Sequence, residues 1–146
     1  MIIRKMREED LASVAEIEKM IFTEPWREED FRKAIGDSNN LYLVAEQAGE
    51  IAGYCGYWGI AGEGNIYNVA VKDTFRRKGL GYRMLSELIR RGLDNNISAY
   101  TLEVRCSNTS AINLYERLGF INTGIRKDFY NKPKEDAVIM WFRTIQ

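Results

Sequence analysis

The sequence predicts a mixed, mainly antiparallel α/β sheet with helices on both faces. Three β-rich runs, Leu41 to Glu46, Ile51 to Trp58 and Gly64 to Val71, follow one another across short loops, as in an antiparallel meander. An amphipathic segment from about Gly79 to Leu93 then separates the third run from another at Thr101 to Val104, which forces a right-handed crossover and a parallel pair. A chain of 146 residues, 45% of them hydrophobic, is long enough for one core and short for two, so a single domain over 1–146 is expected.

Each element has its local reason. Ile2 to Met6 reads as a first strand, and the acidic turn Glu8, Glu9, Asp10 opens a helix whose Leu11, Val14, Ala15, Ile17 and Ile21 face inward. After Pro25 and Trp26, a short helix carries Phe31, Ala34 and Ile35 and stops at Gly36, before the polar loop Asp37 to Asn40. Gln47 to Glu50 contains the Ala48–Gly49 turn of a hairpin. In the crossover helix Leu80, Met84, Leu85, Leu88 and Ile89 share one face, while Arg83, Glu87, Arg90 and Arg91 fall on others. A last helix from Ser110 to Leu118 closes at Gly119, and strands at Phe120 to Arg126 and Ala137 to Thr144 finish the sheet.

Composition removes several function classes. Twenty-one basic and twenty-one acidic residues cancel, so no global field draws nucleic acid. With no apolar leader and no run approaching the roughly 18 apolar residues of a membrane span, a soluble cytoplasmic protein is expected. Cys55 and Cys106 are too far apart in sequence for a CxxC pair or a metal knuckle and read as free thiols. The chain has no histidine, so a metal site is not expected and any general base must be another residue type.

The most informative segment joins the strand Asn68 to Val71 to the crossover helix through Arg76, Arg77, Lys78, Gly79, Leu80, Gly81 and Tyr82. A helix N-terminus has unpaired N–H groups and the positive end of the macrodipole, so this corner suits a pyrophosphate. A Walker loop needs Lys then Ser or Thr after its second glycine, whereas Lys78 precedes Gly79; a dinucleotide fingerprint needs a third glycine where Met84 stands. The bland alternative is a solvated turn. What remains, Arg-x-x-Gly-x-Gly after a Val-rich strand, resembles the acetyl-coenzyme A loop of the GCN5-related N-acetyltransferases. Leu102 Glu103 Val104 Arg105, Ser107 Asn108, Ala111, Leu114 Tyr115 Glu116 and Gly119 Phe120 resemble the second half of that family, in order and spacing. Pro25 Trp26, Asp128 Phe129 Tyr130 and Pro133 to Ala137 followed by Met140 resemble its RimI branch, the ribosomal-protein N-terminal acetyltransferases.

The resemblance implies two splayed parallel strands, here those with Val69 to Val71 and Leu102 to Val104, with the coenzyme's pantetheine in the gap. The backbone of Val69, Ala70 and Val71 would then bind the ligand while their side chains serve the core. Acetyl-coenzyme A is the implied co-substrate. Acetyl transfer to an amine needs a group that accepts the amine's proton and one that protonates the departing sulfur. The resemblance assigns the base to Glu103, through a water, and places Tyr115 by the sulfur as acid; the bland readings are a surface strand glutamate and a packed aromatic. Asn108 would bond the pantetheine or cap the last helix, and one side chain can do both. Trp26, Tyr130 and Asp136 are the candidate slot for an extended protein N-terminus. Arg27 departs from the branch, standing where it implies a serine cap. An α-amine, with a pKa of about 7.7–8.0, is about a tenth neutral at pH 7 and lysine far less, which favours a protein N-terminus; RimI-branch acceptors are ribosomal alanines. Acetylation of lysine or a small amine, and a non-catalytic acyl-coenzyme A binding module, remain alternatives.

Overall fold

The computed structural model describes residues 1–144. Seven strands, β1 (Ile2–Lys5), β2 (Asn40–Gln47), β3 (Glu50–Ile60), β4 (Glu63–Val71), β5 (Ala99–Arg105), β6 (Ile121–Asn131) and β7 (Lys134–Arg143), form one sheet in the order β1-β2-β3-β4-β5-β7-β6. Only β4 and β5 run parallel; every other neighbouring pair is antiparallel. Helices α1 (Leu11–Ile21) and α2 (Glu28–Ile35) cover one face, and α3 (Leu80–Asp94) and α4 (Thr109–Leu118) the other. The mixed sheet and the crossover read from the sequence are therefore present.

Alternation along each strand makes two cores. Leu11, Val14, Ile17, Phe31 and Ala34 pack on Tyr42, Val44, Tyr54 and Ala70, whereas Met84, Leu85, Leu88 and Tyr115 pack on Leu43, Cys55, Leu102 and Val104. Val69 and Val71 lean on the α3 core and Ala70 on the α1 core, so these side chains are indeed structural.

The parallel pair is short. Glu63, Gly64 and Asn65 pair with Ala99, Tyr100 and Thr101, and there the β4–β5 register ends. At that point β4 carries a bulge: Gly56 of β3 opposes Asn68 and Tyr57 opposes Ile66, so Tyr67 is the extra residue. Beyond the bulge β4 stays with β3 as far as Val71 opposite Gly53, while β5 stays with β7 as far as Arg105 opposite Ala137. The strands diverge, leaving backbone groups on the β5 side of β4 without a strand partner.

The last hairpin is longer than its sequence indicates: the strands reach Asn131 and begin again at Lys134. A register shift between Arg126 and Tyr130 interrupts the ladder, which resumes at Tyr130 opposite Glu135. Pro133 lies in the turn between the two strands, whereas Asp128, a poor strand residue locally, is carried into β6 by cross-strand pairing on either side of it, a tertiary effect. At the start of α2 the Asp30 carboxylate accepts the Arg27 backbone N–H at 2.8 Å, supplying the capping bond that an Arg side chain cannot.

A fork ties β1 to the start of α1. Arg4 donates to both carboxylate oxygens of Asp10 at 2.8 and 2.9 Å and to Glu46 at 2.9 Å, and the Arg7 N–H adds a bond to Asp10 at 2.8 Å. Burial would raise the Asp10 carboxyl, but these donors outweigh it and hold the group below its usual range. Its contribution to stability is therefore complete above about pH 4 and disappears as pH falls through the depressed folded-state value. Arg4→Met, which strands a carboxylate only 6% exposed, should cost about 2 kcal/mol at pH 7 and much less near pH 2. Urea unfolding at the two pH values measures the difference.

Candidate active site

The divergence of β4 and β5 opens a cleft of about 820 Å³ between the two helical layers. Its cofactor-side corner is the turn into α3. Arg77 (φ 65°) and Gly79 (φ 74°) both adopt the left-handed conformation, curling the loop so that the first N–H groups of α3 face outward. A side chain at Gly81 would meet the Leu114 methyl at 3.0 Å, so the missing Cβ is what lets α3 approach α4 here. Arg76 braces the loop, donating to the Val71 carbonyl at 3.0 Å and pairing with Asp73 at 3.0 Å. Arg77 lines the cleft with no ion pair among the described residues, while Lys78 lies 6.0 Å over the Phe75 ring. Gly79, Leu80, Gly81 and Tyr82 line the same corner.

Glu103 points from β5 to the face opposite Leu102 and Val104, with its side chain 20% exposed and Arg126, at 3.5 Å, its only ion-pair partner among the described residues. Tyr115 enters from α4. Its ring packs against Phe120 at 5.8 Å, and its hydroxyl has no hydrogen-bond partner among the described residues. Burial pushes this phenol well above its ordinary value, so it holds its proton throughout the neutral range. Asn108 accepts the Ala111 N–H at 3.2 Å, which makes it the cap of α4, and it also lines the cleft.

The opposite wall comes from the α1–α2 loop and the β6–β7 hairpin. Trp26 packs on Phe31 at 5.1 Å and on Tyr42 at 6.3 Å. Tyr130 lies beneath the Arg105 guanidinium, 4.3 Å from its ring centre. Its phenol is pushed up to about 12, first by burial and then by the Glu103 charge, with Arg105 opposing. Arg105 also donates to the carbonyls of Pro133 at 2.8 Å and Lys132 at 3.2 Å, and the Thr23 hydroxyl donates to the Lys132 carbonyl. These bonds join hairpin and loop above the cleft. Two of the sequence candidates, Lys78 and Asp136, are not among the residues that line the cleft; the Asp136 carboxylate accepts the Asp128 N–H at 2.9 Å, fixing the bend in β6.

Sequence reasoning passed over Glu18 and named Asn68 only as the start of its strand; both are buried and both line the cleft. Glu18 interrupts the apolar stripe of α1, between Val14 and Ile21, and a charged residue in such a stripe is the signal that would have found it.

A parallel pair that splays beside a helix N-terminus, with a carboxylate and a protonated tyrosine lining the same cleft, is an arrangement suited to acyl transfer. The chain belongs to the acetyltransferase (GNAT) family, whose model matches residues 11–120, and it is an enzyme of the N-acetyltransferase class. It is 38% identical over 140 residues, 95% of this chain and 93% of the relative, to a putative [ribosomal protein bS18]-alanine N-acetyltransferase of Bacillus subtilis. The ribosomal-protein-S18-alanine N-acetyltransferase from Escherichia coli superposes with a TM-score of 0.90 at 31% identity, over 99% of this chain and 95% of that one. The same fold occurs in a NatC complex bound to a Gag peptide and CoA, with a TM-score of 0.85 at 20% identity over 99% and 98% of the two chains.

Proposed function

We propose that this chain transfers acetyl from acetyl-coenzyme A to the N-terminal α-amine of a protein, with ribosomal protein bS18 and its N-terminal alanine as the acceptor, in the cytoplasm. The observation that carries this reading is the loss of β4–β5 pairing beyond Asn65, which opens one cleft lined by Glu103, Tyr115 and the start of α3. The residues fit the coenzyme: N–H groups at Gly79 to Gly81 and Arg77, which has no ion pair among the described residues, suit its phosphates, and the open edge of β4 at Val69 to Val71 suits its amide-bearing arm. The coenzyme supplies an activated thioester.

The residues of the chain supply proton handling and position. Glu103 takes the proton of the attacking α-amine, directly or through one water, and Arg126 steadies the carboxylate from the solvent side. Tyr115 donates its proton to the departing sulfur, as a protonated hydroxyl on the cleft lining, with no hydrogen-bond partner among the described residues, allows. Trp26 and Tyr130 hold the acceptor, and the hairpin that Arg105 pins over the cleft limits water. Because the raised Tyr115 pKa keeps the group protonated across pH 6 to 9, Tyr115→Phe should lower kcat about 100-fold evenly over that range, leaving the shape of the pH profile unchanged.

The test is intact-mass detection of acetyl transfer to peptides with defined N-termini, one of them the bS18 sequence. A single added acetyl that disappears when the N-terminus is blocked is the expected result. Transfer to blocked peptides or to polyamines would replace the α-amine by lysine or a small amine as acceptor. Coenzyme binding without any transfer would indicate a binding module.

A further inference from the structure

Glu18 is buried to 4% exposure on the acceptor wall of the cleft. One carboxylate oxygen accepts the Tyr54 hydroxyl at 2.6 Å and the other accepts the Trp26 backbone N–H at 3.1 Å. The Asn68 side chain lies beside it, held in turn by the Tyr42 hydroxyl at 2.6 Å, which receives the Trp58 indole N–H at 3.1 Å. Every group that touches the carboxylate is neutral. No Lys or Arg pairs with it among the described residues, and the charge that acts on it, Asp30, is of the same sign.

A buried carboxylate with neutral donors and no cation is under-compensated, since hydrogen bonds offset only part of the cost of removing the charge from water. Burial accordingly raises the Glu18 pKa against the pull of its donors. Elsewhere the chain pairs its buried acid: Asp10 receives the full Arg4 fork. Two donors also leave part of the lone-pair capacity of Glu18 unused.

Resting on the acceptor reading above, we propose that Glu18 is the counter-ion for the acceptor's ammonium group, a specificity-determining residue that captures the amine in its cationic form before Glu103 removes its proton. The acceptor arrives mostly protonated near neutral pH and carries the missing positive charge. The same carboxylate holds the Trp26 backbone, so the charge site and the loop that walls the acceptor are set by one side chain. Tyr54 and the Asn68–Tyr42–Trp58 chain fix its rotamer.

The experiment compares an Ala-initiated acceptor peptide with its des-amino counterpart, in which propionyl replaces the terminal alanine. Binding to the full chain is measured by calorimetry with free coenzyme A present. Wild type should bind the amino peptide about tenfold or more tighter, as a charge-assisted hydrogen bond implies. Glu18→Gln, which keeps size and hydrogen-bonding oxygen but removes charge, should bring the two peptides to within about twofold by weakening only the amino peptide, with the acetyl-coenzyme A KM unchanged. A role confined to holding the Trp26 loop would weaken both peptides alike, which overturns the proposal. Glu18→Met, neutral and of similar length, carries the same expectation if Glu18→Gln fails to fold. Wild-type protein that does not discriminate between the peptides would overturn the proposal without any variant. Survival of the preference in Glu18→Gln, with acetylation intact, would sink the role of Glu18 and leave the acceptor reading standing; no acetylation of any peptide by wild type would sink both.

Discussion

Glu103→Gln is expected to lower kcat by about 100- to 1,000-fold while leaving the KM values for both substrates close to wild type. The substitution keeps the shape of the side chain and removes its ability to accept a proton, so the loss should lie in the chemical step. Its structural consequences are small because Glu103 has one ion-pair partner among the described residues, Arg126, at 3.5 Å and with its side chain 53% exposed. Such a pair contributes at most about 1 kcal/mol, so the Tm should barely move. Steady-state kinetics and a melting curve on the same preparation separate catalysis from folding. A variant with wild-type kcat would remove Glu103 as the base and direct attention to other proton acceptors of the cleft.

Gly56→Ala should be the most destabilising single methyl addition near the site. In the sheet register Gly56 stands between Tyr42 on β2 and Asn68 on β4, and the Tyr42 ring lies flat over the glycine. An added Cβ would overlap ring carbons Cγ, Cδ2 and Cε2 of Tyr42. The ring cannot retreat: Trp26 and Phe31 pack against it, and its hydroxyl is fixed between Asn68 and Trp58. The expected cost is about 3 kcal/mol, at the upper end for overpacking, which lowers the Tm by about 6–12 °C in a chain of this size. Placing the same change in a Tyr42→Ala background should remove most of its penalty, since the clash and its partner are then both gone. Additive losses in that cycle would place the damage in the backbone rather than the ring.

How much of this was legible in the sequence depends on whether the cause is local. The α3 stripe, the Gly79 turn and the cap of α4 follow from periodicity and from conformations that a few residues fix by themselves. Resemblance placed Glu103 and Tyr115, and the fold brings both to one cleft. Of the three residues proposed for the acceptor slot, Trp26 and Tyr130 line the cleft, whereas Asp136 accepts the Asp128 backbone N–H, where the register shifts between β6 and β7. Glu18 went unnoticed because an amphipathic stripe was read for its apolar members, although its one charged member was the informative one.

The sequence by itself determined the family, the crossover and the phosphate-suited helix start, because each rests on side-chain type and short-range spacing. Only the tertiary structure decided where β4 leaves β5, how Arg105 holds the hairpin over the cleft, and that Glu18 is buried without a cationic partner among the described residues. These features depend on the register of strands and loops far apart in the chain. A one-residue bulge at Tyr67 turns a continuous sheet into an open site, and no local propensity encodes it.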